Sequence, residues 1–181
     1  MADMKIANPA PLGLAGFGLT TIMLSSANAG LWGGGGGTAV LGTALFYGGL
    51  SQLLAGMWEF TRGSTFGATA FTSFGAFWLG VWWNLGHGGF AGKNSLAVYL
   101  GCFGLATFVL WVCAIKIDIH HNLLFLALFI TFVFLAMGAW GNGHSGMTKT
   151  GGWTGLITAV IALYIAAKTL INDSWGRSVL P

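Results

Sequence analysis

Charge is what this sequence has least of. Of 181 residues, 7 are Lys or Arg and 4 are Asp or Glu, so only 6% are charged, where a soluble domain carries roughly a quarter. Such a chain cannot clothe itself in a water-facing surface, and lipid is its expected solvent. Glutamate occurs once, at Glu59, and no run of basic residues is present. The formal charge of +3 therefore has no focus that could neutralise a series of phosphates, which excludes nucleic acid as a partner. The two cysteines, Cys102 and Cys113, are eleven residues apart on one apolar run, about three helical turns and too far to bond to each other. They are expected to pack rather than to do redox chemistry. The beginning of the chain also lacks a basic-then-apolar stretch with a small-residue cleavage site, so no cleaved signal peptide is expected.

Apolar residues fill the space left by charge: 55% of the chain is hydrophobic, with a mean hydropathy of +0.78. Apolar runs cover 9–29, 38–60, 64–84, 95–116, 120–140 and 152–172. Each is near the ~20 residues that span a bilayer as a helix. The predicted fold is all-α, a polytopic membrane protein with six transmembrane helices in a single domain over 1–181. Asn8 suits a helix cap, and Pro9 and Pro11 suit a first helical turn. The uncharged stretch that follows carries Thr20, Thr21, Ser25 and Ser26, hydroxyls that must face protein or water, which marks it as a pore-side helix. Lys5, Arg62, Lys116, Lys168 and Arg177 fall on one side of the predicted spans, against Lys93 and Lys149 on the other. That asymmetry places both termini in the cytoplasm of a plasma-membrane protein. Trp32, Trp82, Trp83, Trp140 and Trp153 gather at the other side, as an interfacial belt does.

Small residues recur at helical spacing. Gly42, Gly49 and Gly56 form one stripe, Ala68, Thr72, Ala76 and Gly80 a second, and Gly155, Ala159, Ala162 and Ala166 a third, each suited to close helix packing. The odd-numbered runs also end alike, in Asn28-Ala-Gly-Leu-Trp32 before five glycines, Trp83-Asn84-Leu-Gly-His87, and Trp140-Gly-Asn142-Gly-His144. Asn28, Asn84 and Asn142 are 56 and 58 residues apart, the length of one helical hairpin. Three hairpin repeats around a pore would produce that period. The plainer alternative is that Gly, Asn and Trp simply mark the ends of membrane helices.

NPAPLGLAGFGLTTIML, LFYGGLSQLLAGMWEF at 45–60, GSTFGATAFTSFGAFWL at 63–79, GWTGLITAVIALYIA at 152–166 and a closing GRSVLP stand in this order along nearly the whole chain. Together they resemble the acetate uptake transporter family. The resemblance implies a six-helix protomer in a homohexamer, with a path through each protomer for acetate and, in some members, succinate. It further implies an apolar constriction from three helices, at Phe17, Phe74 and Ile130, with Leu128 the other candidate on the fifth helix. The family has tyrosine and leucine at the latter two positions, so a phenolic hydroxyl is missing at Phe74. The repeat supports the grouping, because the three residues precede their asparagines by eleven, ten and twelve positions. At 1.5 Å per residue they share a depth of about 15–18 Å, near mid-membrane.

No Lys or Arg falls in the centre of a span, so a small carboxylate in transit would meet hydroxyls and amides. Thr20, Thr21, Gln52, Asn28, Asn84 and Asn142 are the candidate pore-lining groups. For Gln52 a helix-to-helix hydrogen bond is the alternative, and for the asparagines, capping. Glu59 is either the partner of Arg62 on one helix face or a proton-coupling group. His87 and His144 occupy equivalent loops, and Asp118, His120 and His121 sit at a turn. No cofactor, metal or catalytic group is expected. Three other classes compete with a carboxylate channel or transporter: an amide or urea channel, a haem protein built on His87 and His144, and a membrane scaffold. A scaffold leaves the buried Thr, Ser and Gln without a purpose.

Overall fold

A computed structural model describes residues 6–32 and 39–181. Asp3, Lys5 and the glycine run at 33–37 lie outside the described residues. Within them the secondary structure is helical: α1 (Ala10–Asn28), α2 (Leu41–Leu45), a π-helical segment (Phe46–Ser51), α3 (Gln52–Thr61), α4 (Thr65–Gly86), α5 (Ser95–Ala114), α6 (Ile119–Ala139) and α7 (Ser145–Trp175). Because α2, the π segment and α3 are contiguous, the described residues form six rods. Four of the helices, α1, α5, α6 and α7, are long and apolar enough by themselves to cross a membrane.

Polar side chains fix where the rods begin. The Ala10 N–H donates to Asn8 Oδ1 at 3.1 Å, but the helix begins at Ala10, so Pro9 stands at the N-cap and not at the first helical position expected of it. Ser64 Oγ accepts from the Gly67 N–H at 3.1 Å at the head of α4, and Asp118 Oδ1 accepts from the His121 N–H at 2.9 Å at the head of α6. The last rod departs from expectation, running from Ser145 to Trp175 instead of 152–172. Its first turn is anchored where a Cβ on Gly138 of α6 would meet Thr148. It stops at Gly176, whose φ of +61° is the left-handed conformation that ends helices.

Glycines set the spacing where rods touch closely. A Cβ on Gly16 would meet the Tyr47 carbonyl of the π segment, and one on Gly56 would meet Thr72 of α4. Gly42, the first member of its predicted stripe, meets nothing and is exposed. The cysteines likewise do not pack: Cys102 and Cys113 are exposed on the outer face of α5.

Buried hydroxyls are mostly satisfied inside their own helices. Thr21 Oγ1 donates to the Phe17 carbonyl at 2.7 Å, Ser26 Oγ to Ile22 at 2.6 Å, Thr107 Oγ1 to Phe103 at 2.7 Å and Thr131 Oγ1 to Ala127 at 2.8 Å. Back-bonding of this kind lets Ser and Thr sit in an apolar rod at little cost. Most of these groups therefore need no solute. The exceptions among the described residues are Thr72 Oγ1, Trp78 Nε1 and Gln52 Oε1, which have no hydrogen-bond partner.

Candidate functional site: an axial passage with an apolar waist

Helices α1, α4 and α6 stand around a common line, and α4 and α6 approach each other only through side chains. Aromatic rings fill the gap. Phe74 of α4 lies edge-on to Phe17 of α1 at 5.4 Å and stacks on Phe132 of α6 at 6.4 Å. Phe125, one turn below Leu128, is 6.4 Å from Phe74 and 5.3 Å from Phe66. Such ring pairs are worth about 0.5–1.5 kcal/mol each beyond their burial.

Three hollows follow one another along this line. At the end where α1 begins, a cavity of about 420 Å³ is bordered by Asn8, Glu59, Arg62, Phe66, His121 and Phe125, among others. It shares Leu14, Ala70, Phe71 and Phe125 with the next hollow, which is only about 20 Å³ and is also walled by Phe17, Gln52, Phe74 and Leu128. That is space for roughly one water molecule. Beyond the rings of Phe74 and Phe132, a third cavity of about 330 Å³ includes Leu24, Asn28, Phe77, Tyr99, Leu135 and Thr148. Phe77 packs edge-on against Phe132 at 5.4 Å and so closes its floor. The passage is thus two vestibules separated by a shut, greasy waist. Two larger hollows, of about 1070 and 680 Å³, are grooves on the outside of the bundle, against α5, α6 and α7 and between α1 and α7.

The predicted residues divide sharply. Phe17 and Phe74 are buried and meet at the waist. Ile130 does not join them: it is 37% exposed on the outer side of α6, and Leu128, 4% exposed, faces inward in its place. The two positions differ by about 200° around a helix, so one cannot substitute for the other. Thr20 is turned toward the second rod, where its Oγ1 donates to the Thr43 carbonyl at 3.4 Å and abuts Gly48. Thr21 is occupied by its own helix, and neither threonine borders the waist. Asn28 reaches the far vestibule, but Asn84 folds back onto the Gly80 carbonyl at 2.8 Å and Asn142 is exposed in a loop. The three asparagines do not form one mouth.

Gln52 is 1% exposed, borders the waist, and its Oε1 has no hydrogen-bond partner. Glu59 is also buried, 3.5 Å from the Arg62 guanidinium, which in turn donates to Asn8 Oδ1. This ties α3 to the head of α1 at the vestibule rim. Asp118 stands at the turn between α5 and α6. Burial pushes its carboxyl up, but hydrogen bonds from the His121 backbone and ring, with the charge on that ring, outweigh it and hold the carboxyl below its ordinary range. Among the described residues no three His, Cys, Asp or Glu side chains converge as metal ligands would. The His87 ring lies 4.0 Å over Trp83, with Nδ1 2.7 Å from the Trp83 carbonyl oxygen, an arrangement that occupies it locally.

Leu14, Phe71, Phe125 and Phe132 border or plug the passage without having been singled out in the sequence. Their signal was present: Phe71, Phe74 and Phe77 fall on one face of α4, and Phe125, Leu128 and Phe132 on one face of α6.

Apolar rods, internally bonded hydroxyls and an axial passage define a multi-pass α-helical membrane protein. The chain belongs to the GPR1/FUN34/yaaH family, whose defining pattern matches residues 1–179. It is 39% identical over 186 aligned positions to the succinate-acetate/proton symporter SatP of Escherichia coli (strain K12), covering 100% of this chain and 97% of that one. It is 44% identical to ammonia transport outward protein 2 of Saccharomyces cerevisiae over 90% of this chain and 61% of the yeast protein. The solved structure of the bacterial acetate channel SatP superimposes with a TM-score of 0.90 at 40% identity, covering 98% of this chain and 99% of that one.

Proposed function

We propose that this protein is a channel or transporter for acetate and related small carboxylates, succinate among them, and not an enzyme. The observation that carries the proposal is the waist: an apolar constriction bearing one amide whose oxygen is unpaired, placed between two vestibules on a single line. Hydrated inorganic ions are rejected there because the wall offers too few polar groups to replace their water. A small organic acid has an apolar body that the rings accept and a polar end that Gln52 can hold. Phe17, Phe74 and Leu128 form the gate, Gln52 and Asn28 are the polar stations, and Glu59 with Arg62 shapes one mouth. Six membrane spans arranged as three hairpins, both termini in the cytoplasm, and a plasma-membrane homohexamer complete the proposal. The strong likeness to SatP over the whole chain supports it.

A second possibility is conduction of a small neutral solute such as ammonia, urea or an amide, which the yeast relative's name and the uncharged waist both favour. Vesicles containing the purified protein distinguish the two. Labelled acetate should enter faster than into protein-free vesicles and be competed by propionate but not by urea or ammonium. Faster entry of urea or ammonia with acetate at the protein-free rate would favour the second.

A further inference from the structure

We infer that Tyr99 of α5 is a positioning residue for the passage: its hydroxyl, seated over Gly80 and bonded to the Phe77 carbonyl, holds the Phe77 ring against Phe132 and so limits the size of carboxylate that reaches the waist from the far vestibule. The inference rests on the carboxylate-transport proposal and adds a determinant of its selectivity.

Helix α5 packs along α6 and meets α4 at few points. Tyr99 makes a polar one. It is half-buried, its Oη donates to the Phe77 carbonyl at 2.7 Å, and its ring stacks on the Phe77 ring at 5.5 Å. Phe103, one turn further along α5, lies edge-on to Phe77 at 5.0 Å, as does Phe132 of α6 at 5.4 Å. Burial by itself is non-directional and leaves a ring free to tilt. A hydrogen bond has a preferred angle, so the phenol is pinned to the main chain of α4 and the ring stacked beneath it is clamped. The carbonyl can take this bond as well as one within its own helix, because it has two lone pairs.

Gly80 makes the contact possible. It stands three residues after Phe77, on the same face of α4, and a Cβ there would overlap Tyr99 Oη. The stripe of Ala68, Thr72, Ala76 and Gly80 therefore ends in a seat for one phenol. Gly80 borders none of the three hollows, whereas Tyr99 and Phe77 both border the far one. Phe77 matters because the rings stand in series: it packs on Phe132, Phe132 stacks on Phe74, and Phe74 meets Phe17 at the waist. With Tyr99 bonded, the floor of the far vestibule stays closed over Phe132 and only a slender acid passes the edge of Phe77. Without the bond the Phe77 ring tilts more freely, the floor widens, and bulkier acids reach the waist.

The test uses the full chain in vesicles, with the protein-free leak subtracted, and reads the ratio of acetate to isobutyrate uptake. Tyr99→Phe keeps the ring and removes the hydroxyl, and the ratio should fall about two- to tenfold, the range that one hydrogen bond supports. Gly80→Ala, at a position outside the passage, should lower the ratio in the same way by displacing the hydroxyl. When both substitutions are combined there is no hydroxyl left to displace, and the ratio should equal that of Tyr99→Phe alone. A residue that only stabilised the fold would lower the melting temperature and leave the ratio untouched. A wild-type ratio in folded Tyr99→Phe, or effects that multiply in the double variant, would overturn the inference; if Gly80→Ala fails to fold, Tyr99→Phe decides alone. Wild-type acetate uptake no faster than the protein-free rate would instead overturn the transport proposal, and the inference with it.

Discussion

Phe17 is where core packing and the proposed gate coincide. Its ring is 5% exposed and packs edge-on against Phe74, so Phe17→Ala removes both a packing partner and part of the proposed constriction. Such a truncation costs about 3–5 kcal/mol in a well-packed core. The variant should be less stable in detergent, and its vesicles should discriminate less between acetate and bulkier carboxylates. Unchanged discrimination in uptake assays would make Phe17 a packing residue only. Asp118 offers a residue-scale test of the opposite kind, outside the spans. A carboxyl held below its ordinary value in the folded protein stabilises the fold above that value and loses the contribution as pH falls through the folded-state pKa. Asp118→Ala should therefore melt at a lower temperature than wild type at neutral pH, consistent with losing an N-cap worth about 1 kcal/mol. The gap should close on acidification below about pH 4; a gap that widens there would contradict the assignment.

At the scale of elements, the approximate place of the rods was legible in the apolar runs, although the last rod begins seven residues before its run and only four helices are by themselves long and apolar enough to cross a membrane. Orientation around each rod was less so. An amphipathic helix in water shows its buried face as its apolar face, but here Ile130 toward the outside and Leu128 toward the passage are equally apolar. Hydroxyls misled for a related reason. Thr20 and Thr21 looked like pore groups because a polar atom in lipid needs a partner, and backbone carbonyls already provided one. The break in the second rod was not legible at all. Its π segment, Phe46–Ser51, contains Gly48 and Gly49, and a Cβ on Gly48 would lie 2.7 Å from Thr20 Oγ1 and 2.9 Å from Trp78. That rod is held against α4 by Gly56, whose Cβ position meets the Thr72 backbone nitrogen at 2.6 Å. Gly56→Leu should push the two rods apart, and size-exclusion elution with uptake assays should show aggregation or lost transport. Normal elution and normal uptake together would refute the close-packing assignment.

The whole molecule presents its apolar surface outward and reserves an apolar seam within. Exposed Leu105, Val109, Ile157 and Val160 face away from the bundle, while the phenylalanines of α1, α4 and α6 meet along its axis. Lipid accounts for the first arrangement and the proposed passage for the second. The two positions on α6 separate them in one comparison of labelled-acetate uptake by vesicles containing Leu128→Trp or Ile130→Trp. The same bulk is added two residues apart, once into the waist and once into the surroundings. Blocked uptake with Leu128→Trp and wild-type uptake with Ile130→Trp is the predicted result. Equal rates in both folded variants, or a block only with Ile130→Trp, would contradict a route through the centre of the protomer.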